Sequence, residues 1–256
     1  MPVSQDKINQ WQYSQSINRR VWDNQYTFEN FVQNPTVSLL GGGASGGTAG
    51  NVNIMQFPYT DFEYEIKGTQ TITAPVIESV AQGVSALNPE MDQTNNDGVE
   101  ICAGILSSNP NAFKVASSAP FFFRARLTIA TVTSTDDCAF GFRLAEAYQG
   151  NIDDYNDMAV LNVITGDIKI ETILNGAATV TTDTTQNFVN GTTHELKVSV
   201  DAAGAVTYQI DGAAPTVTAV YSFRSAIYVV PFFFFLHSVS GAVGIRIEEW
   251  ECGLGL

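Results

Sequence analysis

The sequence contains few groupings of residues that could carry chemistry, and paired carboxylates are the first to consider. Hydrolysis of a glycosidic bond needs two carboxyl groups, one as nucleophile or base and one as acid, about 5 to 10 Å apart. The nearest match runs from Glu90 to Asn95 (EMDQTN), and it has an amide where the second glutamate should stand. We expect the pair in Glu249-Trp250-Glu251 to lie at a strand end with its members on opposite faces. The sequence therefore predicts no catalytic residues and no enzyme.

A cluster of oxygen ligands in one predicted loop raises the question of a metal site. Asp153, Asp154 and Asp157 lie within five residues, and hard cations such as Ca²⁺ prefer oxygen ligands. The spacing lacks the EF-hand pattern and its closing glutamate, so a solvated acidic loop is the preferred interpretation and these three are a weak metal candidate. Asp97 and Glu100, beside the Asn-Asn-Asp-Gly turn, are interpreted as turn formers. We expect no cofactor.

The histidines and cysteines are expected to be structural. No cysteine, serine or second histidine lies near His194 or His237 in sequence, so neither suggests a triad or a zinc site. Three cysteines cannot pair completely, and each lies in an apolar context that favours a buried, inert thiol. These thiols are Cys102, Cys138 and Cys252.

The charge of the chain argues against nucleic acid as a partner. Only 15% of the residues are charged, and the net charge is −14. Residues 1–60 hold three acids and three bases, so the whole excess of negative charge falls on the remainder, which would repel a phosphate backbone. There is no secretory signal pattern, and no apolar run approaches the ~20 residues that a membrane span needs. We expect synthesis in a cytoplasm and no membrane insertion.

Alternating apolar and polar residues predict an antiparallel β protein. The clearest hairpin runs from His194 to Gly212, where two alternating strands flank an Asp-Ala-Ala-Gly turn. A second hairpin is predicted around Thr165-Gly166-Asp167, a third between residues 121–133 and 138–147, and a helical turn near residues 76–84. Further strands are predicted at residues 62–66, 69–73, 99–106, 226–237 and 243–250.

Two phenylalanine-rich segments echo each other. They begin at Ala119 (APFFFRARLTI) and at Val230 (VPFFFFLHSVS). Aromatic residues at successive positions point to both faces of a strand, so both strands are expected to be central and covered on both sides.

The N-terminal part differs from everything after it and predicts two regions. Residues 1–56 form an arm rich in Gln, Asn and aromatic residues that ends in a glycine-rich linker, and residues 57–256 form the β domain. The large aromatic residues need a surface, and two alternatives stay open: the chain's own sandwich, or a neighbouring subunit. The expected interface anchors are Trp11, Trp22, Tyr26 and Phe31.

Several segments together resemble a known group of domains. The segments NNDGVEICAGI, PFFFRARLTIATVTSTDDCAFGFRLAE, HELKVSVDAAGAVTYQIDG and VPFFFFLHSVSGAVGIRIEEWECG are similar to the concanavalin A-like (laminin-G-like) jelly-roll domains in virion structural proteins of tailed bacteriophages. The resemblance covers roughly residues 91–253. It implies an all-β, two-sheet antiparallel jelly-roll sandwich, preceded here by an extended arm like that of capsid decoration, or cement, proteins.

The resemblance also implies a function and partners. It implies a structural protein on the outer capsid surface of a virion, made in the host cytoplasm, with the major capsid protein and further copies of itself, as a homotrimer, as partners. The alternative is a glycan-binding module of a virion fibre or tail used in host attachment. Such a site needs exposed aromatic rings beside polar groups, and its candidates are Tyr148, Tyr155 and Tyr221.

Overall fold

The computed structural model describes residues 26–28, 62–69, 76–81, 84–89, 93–103, 113–117 and 120–254. Two short 3-10 turns, Val132–Ser134 and Ile152–Asp154, are the helical segments among these residues. The strands are β1 (Tyr26–Phe28), β2 (Phe62–Lys67), β3 (Val76–Ala81), β4 (Val84–Asn88), β5 (Gly98–Ala103), β6 (Phe113–Lys114), β7 (Phe121–Ile129), β8 (Thr135–Leu144), β9 (Met158–Ile164), β10 (Asp167–Ile173), β11 (Val180–Asn187), β12 (Thr193–Val200), β13 (Val206–Ile210), β14 (Tyr228–His237) and β15 (Ile245–Leu254).

The strands form two sheets. The seven-stranded sheet has the order β13-β12-β7-β15-β4-β3, with β1 also paired to β15. The eight-stranded sheet has the order β11-β10-β9-β8-β14-β5-β2, with β6 also paired to β14. Every strand pair in the described part of the chain is antiparallel. The predicted all-β, two-sheet jelly-roll sandwich is therefore confirmed.

The main core lies between the sheets and explains the alternation in the sequence. Leu196, Val198 and Val200 of β12 face inward and pack in the same cluster as Phe140 and Phe233 of the opposite sheet. The polar residues between them point outward and are half-buried. Burying a large apolar side chain is worth about 1.5–3 kcal/mol, so this face of β12 has a strong preference for the interior.

Three details of the predicted strands need correction or addition. The segment expected to form a helical turn near residues 76–84 is instead part of the hairpin of β3 and β4. The predicted hairpin of β7 and β8 does not form, because the 3-10 turn at Val132–Ser134 carries the chain from one sheet to the other. Strand β11 (VTTDTTQN) has no apolar alternation and was not predicted. The other two hairpins form as expected.

The two phenylalanine-rich strands are both central, but they are covered differently. Strand β14 is buried on both faces from Val229 to His237. Strand β7 is buried on its inner face alone, and its outward residues are half-buried or exposed. The expectation of two covered faces is thus confirmed for β14 and wrong for β7.

Most of the N-terminal arm lies outside the described residues. Its described part, β1, pairs through its backbone with residues 250–252 of β15. The boundary at residue 57 stays a prediction. In the described ranges, no helix has the length and hydropathy that crossing a membrane would require.

Candidate functional site

The outer face of the eight-stranded sheet carries the most unusual chemistry of the described structure. A loop of residues 145–157, here called the cover loop, crosses this face and brings Ile152 and Tyr155 onto it. Beneath them lie outward-facing side chains of β14, including Phe232 and Phe234, which are fully buried. The chain's own loop therefore covers this part of the outer face.

A buried ion cluster lies under the cover loop. It consists of Lys67 on β2, Glu100 on β5 and Arg143 on β8, of which Glu100 and Arg143 are fully buried. The Arg143 Nε donates to Glu100 Oε1 at 2.7 Å, and the Lys67 Nζ lies 3.1 Å from Glu100 Oε2. Charges removed from water this completely persist only when they are paired and hydrogen-bonded.

The ion cluster fastens the cover loop to the sheet. The Tyr155 hydroxyl donates to Glu100 Oε2 at 2.5 Å, and Arg143 Nη1 donates to the Glu146 carbonyl oxygen at 3.0 Å. The Arg143 guanidinium lies 4.5 Å from the centre of the Tyr155 ring, a cation–π distance. The Lys67 Nζ donates to the Gln149 carbonyl oxygen at 2.5 Å, so these contacts join three strands to one loop.

The structure corrects the assignment of Glu100 as a turn former. Its backbone belongs to β5, and its carboxylate is the anion at the centre of the ion cluster. Asp97 does lie in the turn, since its backbone N–H donates to the Thr94 carbonyl oxygen at 3.1 Å. Its Oδ1 accepts a hydrogen bond from the backbone N–H of Thr69 at 2.9 Å.

The aromatic residues proposed for glycan stacking do not form an exposed platform. Tyr155 of the cover loop is buried against the sheet, and Tyr221 is buried with its hydroxyl donating to the Ile173 carbonyl oxygen at 2.7 Å. Tyr148 is half-buried, and its ring faces the ammonium group of Lys67 at 5.3 Å. Tyr155 and Tyr221 therefore lack the free ring face that a sugar would need.

Beside the cover loop, two carboxylates flank one amide, and we call them the bridged carboxylates. Asn162 Nδ2 on β9 donates to Asp137 Oδ1 on β8 at 2.6 Å and to Glu171 Oε2 on β10 at 2.8 Å. Thr181 Oγ1 on β11 donates to the other oxygen of Glu171 at 3.1 Å. Both carboxylates are at least nine-tenths buried.

The surroundings of the bridged carboxylates favour a proton on Asp137. Burial raises the pKa of Asp137 to about 7, the hydrogen bond from Asn162 opposes this rise, and the charge of Glu171 adds to it. Two neighbouring carboxyl groups can act as acid and base in hydrolysis. In this site, however, each is engaged by a neighbouring side chain and mostly withdrawn from solvent.

The three aspartates of the weak metal candidate do not converge. Asp157 is fully buried, and Arg224 holds both of its oxygens, with Nε at 3.0 Å and Nη2 at 2.5 Å. Asp153 accepts a hydrogen bond from Thr179, and Asp154 is exposed. Among the described residues, no group of three or more His, Cys, Asp or Glu side chains is placed to hold a metal ion.

The outer face of the seven-stranded sheet is a network of ion pairs. Arg124 on β7 lies 2.8 Å from Glu195, 3.7 Å from Glu249 and 2.6 Å from Glu251. The expectation that Glu249 and Glu251 lie on opposite faces is wrong, because residues two apart in a strand share a face. Trp250 between them points inward and is buried.

The histidines and cysteines lie in structural positions. His194 Nδ1 is 2.7 Å from Asp211 Oδ2, and the His194 ring packs edge-on against Phe188. His237 is fully buried next to Phe235. As expected, the cysteines are buried; burial raises the pKa of the Cys138 and Cys252 thiols well above the ordinary value, which suppresses the reactive thiolate.

The proposed arm anchors lie mainly outside the described residues. This holds for Trp11, Trp22 and Phe31, whereas Tyr26 is described as part of β1, whose backbone pairs with β15.

The sequence contained a usable signal for the sites that were missed. A charged or amide residue at the outward position of an otherwise apolar strand should have a partner on the same face of a neighbouring strand. The residues with this pattern are Glu100 in GVEICA, Arg143 in TDDCAFGFRL, Asn162 in MAVLNVI and Glu171 in DIKIETI.

Comparisons with known proteins support the fold. No model of a known protein family matches the chain, and no curated protein is similar to it. Among solved structures, the carbohydrate recognition domain of Emp46p in its potassium-bound form is similar with a TM-score of 0.52 and 9% identity, over 90% of this chain and 97% of that one. A family 16 endo-glucanase from Bacteroides ovatus is similar with a TM-score of 0.50 and 11% identity, over 77% of this chain and 97% of that one. The chain therefore has the concanavalin A-like jelly-roll fold.

Proposed function

We propose that this chain is a non-enzymatic structural protein of a tailed-phage virion that decorates the outer capsid surface. In this proposal the protein is attached to the capsid by its N-terminal arm and by contacts between its own copies. Its partner is the major capsid protein. The observation that supports the proposal is the cover loop, which is fastened by the buried ion cluster and covers the outward side chains of β14 on the eight-stranded sheet. A sandwich closed in this way is suited to assembly rather than turnover.

Charge and sequence also support an assembly role. The acidic surplus falls entirely outside the first 60 residues, so the arm differs electrostatically from the domain it precedes. Large aromatic side chains such as Trp11 and Trp22 are the residue types that dominate binding energy at protein interfaces.

Particle binding tests this proposal directly. Phage particles lacking the protein would be mixed with the full chain, with a chain lacking residues 1–50, and with a Trp11→Ala/Trp22→Ala/Phe31→Ala variant. We expect the full chain to decorate heads, visible by electron microscopy, and both altered chains to lose at least ten-fold in affinity. A Val189→Ala/Val239→Ala variant, altered at exposed sites of the domain, is the control. Decoration with full affinity by the chain lacking its arm would refute the attachment mode, and location on the tail would refute the capsid role.

A second candidate is a glycan-binding module, which the similarity to a carbohydrate recognition domain favours. The bridged carboxylates provide the polar groups for it, because carboxylate, amide and hydroxyl groups are the usual partners of sugar hydroxyls. Binding would occur at the rim formed by Thr181 and Glu171.

A glycan array tests the second candidate. We expect any sugar that binds the wild type to bind a Thr181→Val variant at least five-fold more weakly, while Thr207→Val on the opposite sheet leaves binding unchanged. An array without a hit would remove this candidate. Release of reducing sugar ends by the wild type, abolished by Glu171→Gln, would instead contradict the non-enzymatic assignment.

A further inference from the structure

Two uncharged segments approach each other on this strongly acidic molecule. Residues 174–182 and 212–223 contain no Asp, Glu, Lys or Arg. The hydrogen bond from the Tyr221 hydroxyl to the carbonyl oxygen of Ile173 connects the second segment to the residue directly before the first. Four of the eight exposed large hydrophobic side chains of the described structure lie in these segments: Leu174, Val180, Val217 and Val220. We call these two segments the uncharged surface.

The part of this surface around Tyr221 lies at the end of the sandwich toward which the arm enters, since residues 213–222 run back along β13 from Ile210 to Ala205. Tyr26 of β1 pairs with Cys252 and Phe28 with Trp250, so the chain before Tyr26 runs toward Leu254. Leu254 pairs with Phe121, which pairs with Val200. This row of backbone pairs continues to the uncharged surface. Val200 pairs with Val206, and the backbone N–H of Val206 donates to the Tyr221 carbonyl oxygen.

The N-terminal segment has the reach and the composition to cover this surface. From β15 to β13 is three strand spacings, about 14 Å, which about five extended residues span. Residues 1–25 contain Trp11, Tyr13 and Trp22, and they carry two acids and three bases. Their slight positive charge is complementary to the acidic domain, and their aromatic side chains match an apolar, uncharged patch.

We propose that residues 1–25 of the chain dock on the uncharged surface of the same chain. This assigns the first part of the arm to the chain's own sandwich, one of the two alternatives that the sequence leaves open. Residues 29–56, including Phe31, remain available for other contacts. The proposal concerns the isolated full-length protein. Trp11 and Trp22 cannot contact this surface and a capsid at the same time, so attachment through them would require release of the docked segment. Proteolysis of the free protein and particle binding test the two proposals separately.

Limited proteolysis of the full-length protein tests the docking. Trypsin can cut after Arg19 and Arg20, and docking should protect both sites. We expect a Val217→Asp/Val220→Asp variant, altered at exposed positions, to be cut there at least ten-fold faster than the wild type. A Val189→Asp/Val239→Asp variant, with two exposed valines outside the surface, should be cut at the wild-type rate. Circular dichroism would check that both variants stay folded.

Fluorescence gives an independent readout. Trp250 is buried, so most acrylamide quenching reports on the two tryptophans of residues 1–25. We expect quenching to increase at least two-fold in the Val217→Asp/Val220→Asp variant. Equal cleavage and quenching in wild type and both variants would overturn the proposal. Protection that disappears on dilution together with a dimer would also overturn it, because it would assign the surface to a second copy.

Discussion

Asp137 is a residue whose chemistry changes in the neutral pH range. An aspartate in an unfolded chain has a pKa near 3.9, whereas burial raises the pKa of Asp137 in the folded protein to about 7. Between about pH 4 and pH 7 the unfolded chain releases a proton that the folded chain keeps. The contribution of this residue to the free energy of unfolding therefore falls as the pH rises through that window. Above pH 7 the folded protein bears the whole cost of the buried negative charge.

We expect an Asp137→Asn variant to be more stable than the wild type at pH 8, by on the order of 1–3 kcal/mol, and similar to it at pH 4. The amide keeps the shape of the side chain but cannot ionise. Urea unfolding at several pH values measures the difference, and Asp136→Asn, at the exposed neighbour, controls for the loss of one negative charge. Parallel pH profiles for wild type and Asp137→Asn would contradict the expectation.

The buried ion cluster should be sensitive to the loss of either charge. Glu100→Gln leaves the buried charge of Arg143 without its carboxylate, and Arg143→Met leaves Glu100 with Lys67 alone, so we expect Glu100→Gln to lower the free energy of unfolding by about 3–5 kcal/mol and Arg143→Met by less. The double variant should lose less than the sum, because Arg143 is then no longer left unpaired and Lys67 keeps Glu65 at 3.0 Å. Arg126→Met, which removes a partly exposed pair at 3.4 Å, should cost less than about 1 kcal/mol. Additive losses in the double variant would show that the pair is not coupled.

At the scale of the elements, β8 depends on one position without a side chain. A Cβ atom added at Gly141 would lie 2.2 Å from the carbonyl oxygen of Ala159 on the neighbouring strand β9. Because the contact is with backbone, the strands themselves would have to move. Strand β8 carries both Asp137 and Arg143, so such a shift would disturb the bridged carboxylates and the ion cluster together.

We therefore expect Gly141→Ala to lower the free energy of unfolding by at least about 1–3 kcal/mol, the usual cost of overpacking. Gly150→Ala in the cover loop is the matched control, since an added Cβ there meets no atom within 4 Å. Thermal unfolding of both variants measures the effect. A Gly141→Ala melting temperature equal to that of Gly150→Ala would disprove the close approach.

The sequence was sufficient to predict those elements in which alternation reports burial directly. The β12–β13 hairpin follows from Leu196, Val198 and Val200, because one face of that strand meets the core and the other meets solvent. The β7–β8 hairpin was mispredicted because adjacency along the chain does not reveal a change of sheet. The polar sites were missed because Arg143 and Glu100 lie 43 residues apart, and their contact depends on strand order.

For the whole molecule, the core between the two sheets shows which part of the chain supplies the stabilising apolar burial. The buried core residues of the described structure begin at Ala86, and they come from strands of both sheets. Residues 57–256 should therefore contain what the sandwich needs to form.

We expect a chain of residues 57–256 to unfold cooperatively, with a melting temperature within about 10 °C of the full-length protein. The truncated chain loses the stabilisation from the backbone pairing of three residues in β1 and from any contact of the arm with the domain. Calorimetry would measure both transitions, and the full-length protein is the reference. If the truncated chain showed no cooperative transition, the arm would be required for the domain to fold.

The position of β14 and β15 in the chain has a consequence for when the protein can fold. These strands occupy residues 228–254 and are the last two strands of the described structure, yet β14 lies between β8 and β5, and β15 lies between β7 and β4. During synthesis the earlier strands must therefore wait for their central neighbours, with apolar faces uncovered. Folding of the sandwich is delayed until residue 254 has been made, and yield in a cell will depend on how well the unfinished chain is protected from aggregation.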